Sequence, residues 1–482
     1  MVIDDNNEYV KRGDSALAFK AGVWYVLGNF IGKSITFITT PIFARLMTPS
    51  DYGEFSNFAS WAVLLSFIVG AELHNTLSRA YYDFKVNYDE YISSITILGF
   101  FLTALIYIVF WLVPNFIFKV VMIPKQHVHI LFLFLLFSFC RLVYYARERT
   151  LYRYKTVAIV TVISLLVPTI ISVFAVFFLP VSNSLSARIY GYYLPSALIG
   201  VFCAFSLLKK GIHVKWQYCK YALFLSIPLL VHHFSGYLLS STNVIIAKNL
   251  ITNEAAAVVS IAGSTTHILS VFFLATSGAL TTWLMDNLEL GDIITARKGS
   301  LLYVILLAVI VIVTILFAPE IIYLLGGNKF ISAVSLFPGL AFSIFVQATV
   351  SVFTIILTYD KNVVKTATIT SVFALLSIVV KVCLTPIYGL MMLVYVNIAV
   401  FCVLFLTNYF LVKYAGYAKV VHFKGIVFVV FLTGVLTATS PFIYKSQSIR
   451  FGLVGVFTIA GVSLLFSKKS WILNVIRNLK HG

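Results

Sequence analysis

Long apolar runs are the feature of this sequence that most restricts its fold. They are roughly 18–28 residues long, and a helix of about 20 apolar residues crosses the hydrocarbon of a bilayer. Strands of a membrane barrel would instead alternate apolar and polar residues over about 10 positions. Only 11% of the chain is charged and 60% is hydrophobic, so a water-facing globule could not be covered with polar side chains. The sequence therefore predicts an all-α polytopic membrane protein with about 14 transmembrane helices.

The predicted spans follow one another with short connections. They cover residues 18–45, 53–76, 92–113, 128–147, 156–179, 187–208, 220–247, 255–285, 300–318, 332–358, 364–384, 389–412, 424–444 and 450–467. An even number of spans places both termini on one side of the membrane. No connection is long enough for a nucleotide-binding domain, which argues against an ATP-driven exporter on this chain.

Charge in the connecting segments predicts the orientation. If the N-terminus is inside, most of the 35 Lys and Arg residues fall in inner segments. Within spans lie Lys33 and Lys381, and the outer segments hold Arg45, Lys119, Lys125, Arg188, Lys248, Lys329, Lys445 and Arg450. Because inner loops of such proteins are rich in Lys and Arg, both termini are expected in the cytoplasm. This bias accounts for most of the net charge of +18 without a nucleic-acid partner.

The N-terminal segment and the cysteines add little to this interpretation. The first twenty residues are polar and partly acidic, unlike a signal peptide, so the first apolar run is expected to be a retained span. The five cysteines are scattered without the spacing of a metal or redox site.

Residues recur weakly at an offset of about 203. Arg45 aligns with Lys248 and Asp51 with Glu254, and charged matches are rare in so apolar a chain. An offset of six spans preserves orientation and predicts two parallel six-helix lobes related by an axis along the membrane normal. The expected divisions are a cytoplasmic segment 1–17, an N-lobe 18–208, a linker 209–219, a C-lobe 220–413, two extra helices in 424–467 and a basic cytoplasmic tail 468–482.

Polar residues at helical spacing mark a candidate cavity. Polar faces within lipid must meet protein or water, so faces of several spans are expected to line a central wet cavity between the lobes. The residues on these faces are Asn29, Lys33 and Thr36 in the first span, His232 and Asn243 in the seventh, and His267 in the eighth.

The first span and the loop after it resemble the N-terminal part of the oligosaccharide-lipid flippases of the O-antigen translocase type. Their sequence here is WYVLGNFIGKSITFITTPIFARLMTPSDYGEFSNFASW. The stretch DKNVVKTATIT…LTPIYGL resembles the region of their tenth to twelfth helices. That family belongs to an exporter superfamily that includes multidrug–cation antiporters and peptidoglycan-precursor flippases. Twelve spans are usual for O-antigen flippases, whereas fourteen are typical of the peptidoglycan-precursor branch. The loop motif is carried by Arg45, Leu46, Pro49, Tyr52 and Gly53.

The resemblance implies a non-enzymatic function. A polyprenyl-diphosphate-linked oligosaccharide would move from the inner to the outer leaflet by alternating access. It also implies a multi-pass protein of the bacterial cytoplasmic (inner) membrane, with membrane lipids and a polysaccharide polymerase as partners and without a cofactor.

A diphosphate crossing the bilayer needs cations, because burying an unpaired charge costs several kcal/mol. Lys33 is the first candidate for the phosphate contact, since it lies in the middle of a span. The alternatives are that it extends toward the interface or pairs structurally with Glu72. Lys381 lies near the outer end of its span, where snorkelling competes with substrate binding.

Arginines near the inner ends of spans form a second group of candidates. Arg79, Arg141 and Arg147 could recruit the anionic head group, although the orientation rule alone also explains them. His232 and His267 could titrate in proton coupling or could serve as structural hydrogen-bonding groups.

Four other functions compete with flipping. A multidrug–cation antiporter should have clustered acidic residues, yet Glu72 is the only carboxylate well away from a predicted loop. A polysaccharide polymerase should have a large outer loop, which is missing. A membrane glycosyltransferase needs an acidic pair, for which Asp83, Asp89 and Glu90 qualify only by position. A structural scaffold would not need several polar faces.

Overall fold

The computed structural model describes residues 2–3, 9–10, 32 and 34–467. A two-residue antiparallel pairing joins β1 (Val2–Ile3) to β2 (Tyr9–Val10), and the rest is helical. The predicted all-α membrane fold is thereby confirmed. The helices are α1 Ser34–Leu46, α2 Pro49–Gly70, α3 Leu77–Asp83, α4 Tyr88–Leu112, α5 Pro114–Val121, α6 Val128–Thr150, α7 Tyr154–Phe178, α8 Ser184–Leu208, α9 Trp216–Ser241, α10 Asn243–Leu250, α11 Asn253–Glu289, α12 Ile293–Leu316, α13 Ala318–Gly326, α14 Ala333–Tyr359, α15 Val363–Tyr388, α16 Met391–Tyr414, α17 Phe423–Ile443 and α18 Gln447–Ser467.

Each predicted span overlaps at least one helix in the described residues, and the second and seventh spans are each divided by a break. Eleven of these helices are long and apolar enough to cross a membrane, and α2 with the bent continuation Leu73–Asp83 makes up to twelve. The helices at the two ends of the described residues contain shorter apolar segments, Ser34–Leu46 and Gln447–Ile459. Most of the first predicted span lies outside the described residues, so the count of fourteen stays a prediction.

The helix ends follow local chemistry. Thr48 caps α2 by accepting a hydrogen bond from the Asp51 backbone N–H at 3.1 Å, and Pro49 occupies the first turn, where no N–H is needed. Asp292 caps α12 in the same way, accepting from the Thr295 N–H at 3.0 Å. Gly389 ends α15 with φ of 73°, a left-handed conformation that suits glycine.

The chain divides into two compact units, and the first comprises Met1–Ala257. In it, α8 packs against both α6 and α7, and α4 packs against α6. Small residues permit the close approach: a Cβ on Gly200 of α8 would lie 2.3 Å from the Phe137 carbonyl oxygen of α6. α9 packs against α2 and α4 in this unit.

The second unit comprises Val258–Gly482. Its central helix is α14, which packs against α12, α16 and α17. Phe337, Phe345 and Phe353 are fully buried along α14. At about 100° per residue, each ring is turned about 80° from the one before it, so α14 is buried on more than one side. α18 packs on α12 in the same unit. The predicted division into lobes 18–208 and 220–413 differs from these units and stays a prediction.

Candidate functional site

The second span is broken near one end. α2 stops at Gly70, and Ala71 and Glu72 both adopt left-handed conformations with φ of 42° and 55°. A short 3-10 turn, Leu73–Thr76, then leads into α3, and the axis bends by 48°. Left-handed conformations cost L-residues about 1–2 kcal/mol each. Such strain persists only where the surroundings hold it in place.

The break places the Glu72 carboxylate inside the first unit. Its side chain is 8% exposed, and its Oε2 lies 2.9 Å from Nδ1 of His233 on α9. Asn75, on the next turn, donates to the same oxygen through Nδ2. The His233 side chain is 44% exposed, so one partner of the pair is open and the other is enclosed.

Apolar and aromatic packing holds the break. Leu73 and Leu77 are fully buried in a cluster with Tyr91, Cys140 and other side chains of α4, α6 and α8. The Thr76 hydroxyl also lies 2.5 Å from the Tyr91 hydroxyl. The turn is therefore anchored on both sides, and the conformation of Glu72 is set by the core rather than by its own preference.

The predicted inner arginines are each engaged by a different side chain. Arg79 forms an ion pair with Asp83 at 2.9 Å, and Tyr221 donates to the same carboxylate. Arg141 donates to the Ser138 hydroxyl at 3.1 Å. These contacts do not bring the arginines together into one cluster.

Arg147 takes part in a buried charge cluster. Its guanidinium lies 3.5 Å from Glu148, whose side chain is 2% exposed and is also 3.4 Å from Arg153. Two cations around one enclosed carboxylate leave net positive charge at this end of α6, as the orientation rule requires.

Basic residues assigned to outer segments are also built into the first unit. Arg188 on α8 lies over three rings, with its guanidinium 4.0 Å from the centroid of Phe43, 4.7 Å from Tyr52 and 3.7 Å from Phe55. Its Nη1 also contacts the Met47 sulfur at 3.3 Å. The planar guanidinium thus joins α1, α2 and α8 through cation–π contacts.

Lys248, at the end of α10, donates to the Met122 carbonyl at 2.7 Å and lies 3.5 Å from Glu54. Burial lowers the pKa of Lys248, and the nearby Glu54 carboxylate opposes that shift. Lys248 thus connects α10 to the start of α2 and to the turn after α5.

Lys381 is the most enclosed cation in the described part of the chain. Its side chain is 0% exposed on α15, and its Nζ has no hydrogen-bond partner among the described residues. Ser377 and Thr385, one turn to either side, are equally buried, and their hydroxyls also lack partners there. Snorkelling is therefore wrong for Lys381, because its amine is enclosed by helices of the second unit and does not extend to an interface.

The remaining candidates are placed as follows. Asn29 and Lys33 lie outside the described residues. Thr36 is exposed on α1 and donates to the Gly32 carbonyl at 3.3 Å. His232 is on α9, with its side chain outside the described part, and His267 is exposed on α11. Asn243 is buried as the first residue of α10, because the seventh span breaks at Thr242.

Sequence reasoning missed two features: the contact between Glu72 and His233, and the three aromatic rings that surround the Arg188 guanidinium. The carboxylate was visible as an isolated acid within a span, which is a signal of function in a membrane protein. The sequence analysis selected His232 rather than His233 because it assumed which face of the seventh span is polar. Which face of α9 meets the break after α2 could not be read from the sequence. Within the described residues, no group of three or more His, Cys, Asp or Glu side chains could hold a metal ion.

Comparisons with known proteins found one matching family model and several similar solved structures. Residues 18–285 match the family model described as polysaccharide biosynthesis protein. No curated protein sequence matches significantly. A structure of the lipid II flippase MurJ in an inward closed conformation matches with a TM-score of 0.67 and 13% identity, over 94% of this chain and 99% of that one.

Transporters with the same architecture match as well. An inward-facing multidrug resistance MATE family transporter of the MOP superfamily matches with a TM-score of 0.61 and 15% identity, over 80% of this chain and 95% of that one. Identities this low show a shared fold only. The expected resemblance is confirmed at that level, and because the family model spans more than half of the sequence, the chain belongs to the polysaccharide biosynthesis protein family.

Proposed function

We propose that this protein is a flippase for a lipid-linked glycan. It would carry a polyprenyl-diphosphate-linked oligosaccharide, an O-antigen or other surface polysaccharide repeat unit, from the inner to the outer leaflet of the cytoplasmic membrane. Movement would occur by alternating access, and a polysaccharide polymerase would take the product.

The observation that carries the proposal is the polysaccharide family match on a chain whose described helices are mostly of membrane-spanning length. Within residues 34–467, the segments between spans are short or hold only small helices such as α5 and α13. Such a chain offers no extramembrane catalytic domain, so its contribution to polysaccharide synthesis is best explained by transport. The fold shared with a structure titled as a lipid II flippase supports the same conclusion.

The chemistry of the substrate fits the cations within the spans. A diphosphate cannot enter hydrocarbon unpaired, whereas its polyprenyl tail can remain in the lipid. We infer that Lys33 contacts the diphosphate, with Asn29 and Thr36 beside it, and that Arg79, Arg141 and Arg147 recruit the head group. Asn243, His232, His267 and Lys381 would serve the same path in the second half of the sequence.

Cation-coupled drug export is the second candidate, favoured by the fold shared with a MATE family transporter. The sparse carboxylates argue against it. In the described residues, Glu148 is neutralised by two arginines, which leaves Glu72 as the buried acid without a Lys or Arg ion pair.

Flipping in proteoliposomes tests the proposal. A polyprenyl-diphosphate oligosaccharide is placed in one leaflet, and its exposure to a membrane-impermeant glycan-oxidising reagent is timed. Wild-type protein should expose the glycan at least tenfold faster than empty vesicles. Lys33→Ala should slow exposure, whereas Lys329→Ala, an exposed lysine between α13 and α14, should match wild type.

Each alternative result has a distinct meaning. Fast exposure with Lys33→Ala would retain the flippase and remove Lys33 from its site. Exposure no faster than in empty vesicles, with folded protein and several glycans, would overturn the flippase in favour of cation-coupled export.

A further inference from the structure

The break in the second span has features that glycan binding does not explain. Two consecutive non-glycine residues, Ala71 and Glu72, are held in left-handed conformations at this point. Transporters use broken helices to build ion and proton sites inside the membrane. The strained residue here is also the buried carboxylate, so the backbone distortion and the ionisable group coincide.

The break lies toward one end of the membrane crossing. α2 has 22 residues, which correspond to about 33 Å, roughly the thickness of the hydrocarbon layer. In the predicted topology, Glu72 lies in the half of the second span that is nearer the cytoplasm. A group placed there can exchange with water on one side of the membrane.

The neighbours of Glu72 can hold a proton. His233 Nδ1 is 2.9 Å from its carboxylate, and the 44% exposure of His233 gives the pair access to solvent. His74, two residues after Glu72, has a buried Nδ1 with no hydrogen-bond partner in the described residues.

Other charges around the turn are accounted for. The elements that pack against it are α3, α6 and α9, and Tyr91 of α4 contacts Thr76. α6 presents Arg149 and α9 presents His233, and both interact electrostatically with His74. The charges on α3, Arg79 and Asp83, pair with each other. Among the described residues, Glu72 is a carboxylate that interacts with both His233 and His74.

We propose that Glu72 and His233 form a proton-binding site that couples proton movement to transport, a proposal that rests on the flippase function. A proton enters from water onto His233 and passes from its Nδ1 to Oε2 of Glu72. The transfer leaves a neutral imidazole and a neutral carboxylic acid.

Proton loading changes the cost of burying this pair. Ionised Glu72 beside neutral His233 carries one negative charge, and one added proton makes the pair neutral wherever it resides. A neutral pair is cheaper to enclose than an uncompensated charge. Loading therefore favours contact between α9 and the break, and release weakens it. This is the step by which a proton could bias a conformational change.

Infrared difference spectroscopy tests the site without requiring transport. During a pH titration of the full-length protein in lipid, wild type should show a carboxylic-acid C=O band that Glu72→Gln removes. His233→Gln keeps a hydrogen-bonding side chain but cannot titrate, and it should shift the midpoint of that band. Matched controls are Glu90→Gln and His129→Gln, which should leave the band and its midpoint unchanged. A titration unaffected by Glu72→Gln would overturn the site.

Transport under a pH gradient tests the coupling. With an imposed gradient of one unit, the steady-state ratio of glycan between leaflets should change about tenfold per coupled proton in wild type. Glu72→Gln and His233→Gln should flatten that dependence, and Glu72→Asp should retain part of it if the glutamine variant does not fold. Equal gradient dependence in wild type and both variants, or none in wild type, would overturn coupling. A complete lack of flipping would instead refute the proposed function, with the infrared result still decisive for the site.

Discussion

At the scale of single residues, the buried amine of Lys381 is the clearest departure from ordinary packing. A polar group enclosed without a hydrogen bond costs about 1–3 kcal/mol, and an unpaired charge costs more. Lys381 is 0% exposed, and its Nζ has no hydrogen-bond partner in the described residues. Selection for stability alone would replace it, so we expect that it is retained for function.

Replacing Lys381 should therefore stabilise the protein. Lys381→Met keeps the length of the side chain and removes the unsatisfied amine, so the free energy of unfolding should rise by about 1–3 kcal/mol. Thermal unfolding in detergent measures this change, and flipping should slow in the same variant. Lys365→Met, an exposed position on the same helix, should change stability by less than about 0.5 kcal/mol. A marked loss of stability in Lys381→Met would mean that the amine has a bound counter-ion.

The sequence identified intramembrane ionisable residues better than it identified their partners. Lys381 and Glu72 stand out because charges are rare in this chain, whereas Glu72 was considered only as a partner for Lys33. Its partner His233 depends on which face of α9 meets the break, and that is a property of packing. The hydroxyls of Ser377 and Thr385 became informative only once their burial was known.

At the scale of elements, glycine positions decide how closely helices approach. A Cβ on Gly53 in α2 would lie 1.8 Å from the Asn253 carbonyl oxygen at the start of α11. That neighbour is backbone, so it cannot rotate away. Gly53 is the glycine of the Arg-Leu-x-x-Pro-x-x-Tyr-Gly motif, and the close approach of the Asn253 backbone explains why a larger residue does not fit there. The motif alone did not show this.

Gly53→Ala should be strongly destabilising for that reason. We expect a loss of about 3 kcal/mol in the free energy of unfolding, since the methyl group must separate α2 from Asn253. Gly236→Ala on α9 is the matched control, because an added Cβ there meets no atom of the described residues within 4 Å. It should raise stability by about 0.5–1 kcal/mol through helix propensity. Parallel thermal unfolding of both variants measures the difference, and similar values for the two would contradict the contact.

Helix positions were largely predictable from sequence, whereas breaks were not. Apolar length determines a span because backbone groups in lipid must bond internally, and this requirement does not depend on neighbours. The break at Thr242 has neither proline nor glycine beside it, and at the first break Gly70 is followed by Ala71 and Glu72, the two residues in left-handed conformations. Their conformations are imposed by packing against other helices, which local sequence does not record.

At the scale of the whole molecule, one contact of the first unit joins two positions at the repeat offset, and the repeat itself stays a prediction. Ser50 and Asn253 are separated by 203 residues, and the Asn253 amide donates to the Ser50 hydroxyl at 3.2 Å. Equivalent positions of a parallel repeat lie on the same side of the membrane. The contact agrees with that requirement, and the orientation of the chain remains a prediction from its charges.

Cysteine labelling in cells tests that orientation. In a variant lacking the five native cysteines, Val181→Cys and Asn328→Cys should react with an impermeant maleimide in intact cells. Ile212→Cys and Leu290→Cys should react only after permeabilisation, because basic segments of short loops are retained in the cytoplasm. Val181, Ile212 and Leu290 are all well exposed, so each added thiol is accessible on its own side.

The pattern of labelling also tests the spans between these positions. One span, α8, separates Val181 from Ile212, so these two must lie on opposite sides whatever the orientation. Four spans separate Val181 from Asn328, formed by α8, α9 with α10, α11 and α12, so these two must share a side. If all four positions reverse together, the charge rule fails and the fold is retained. If Val181 and Asn328 label on different sides, one of the intervening helices does not cross the membrane.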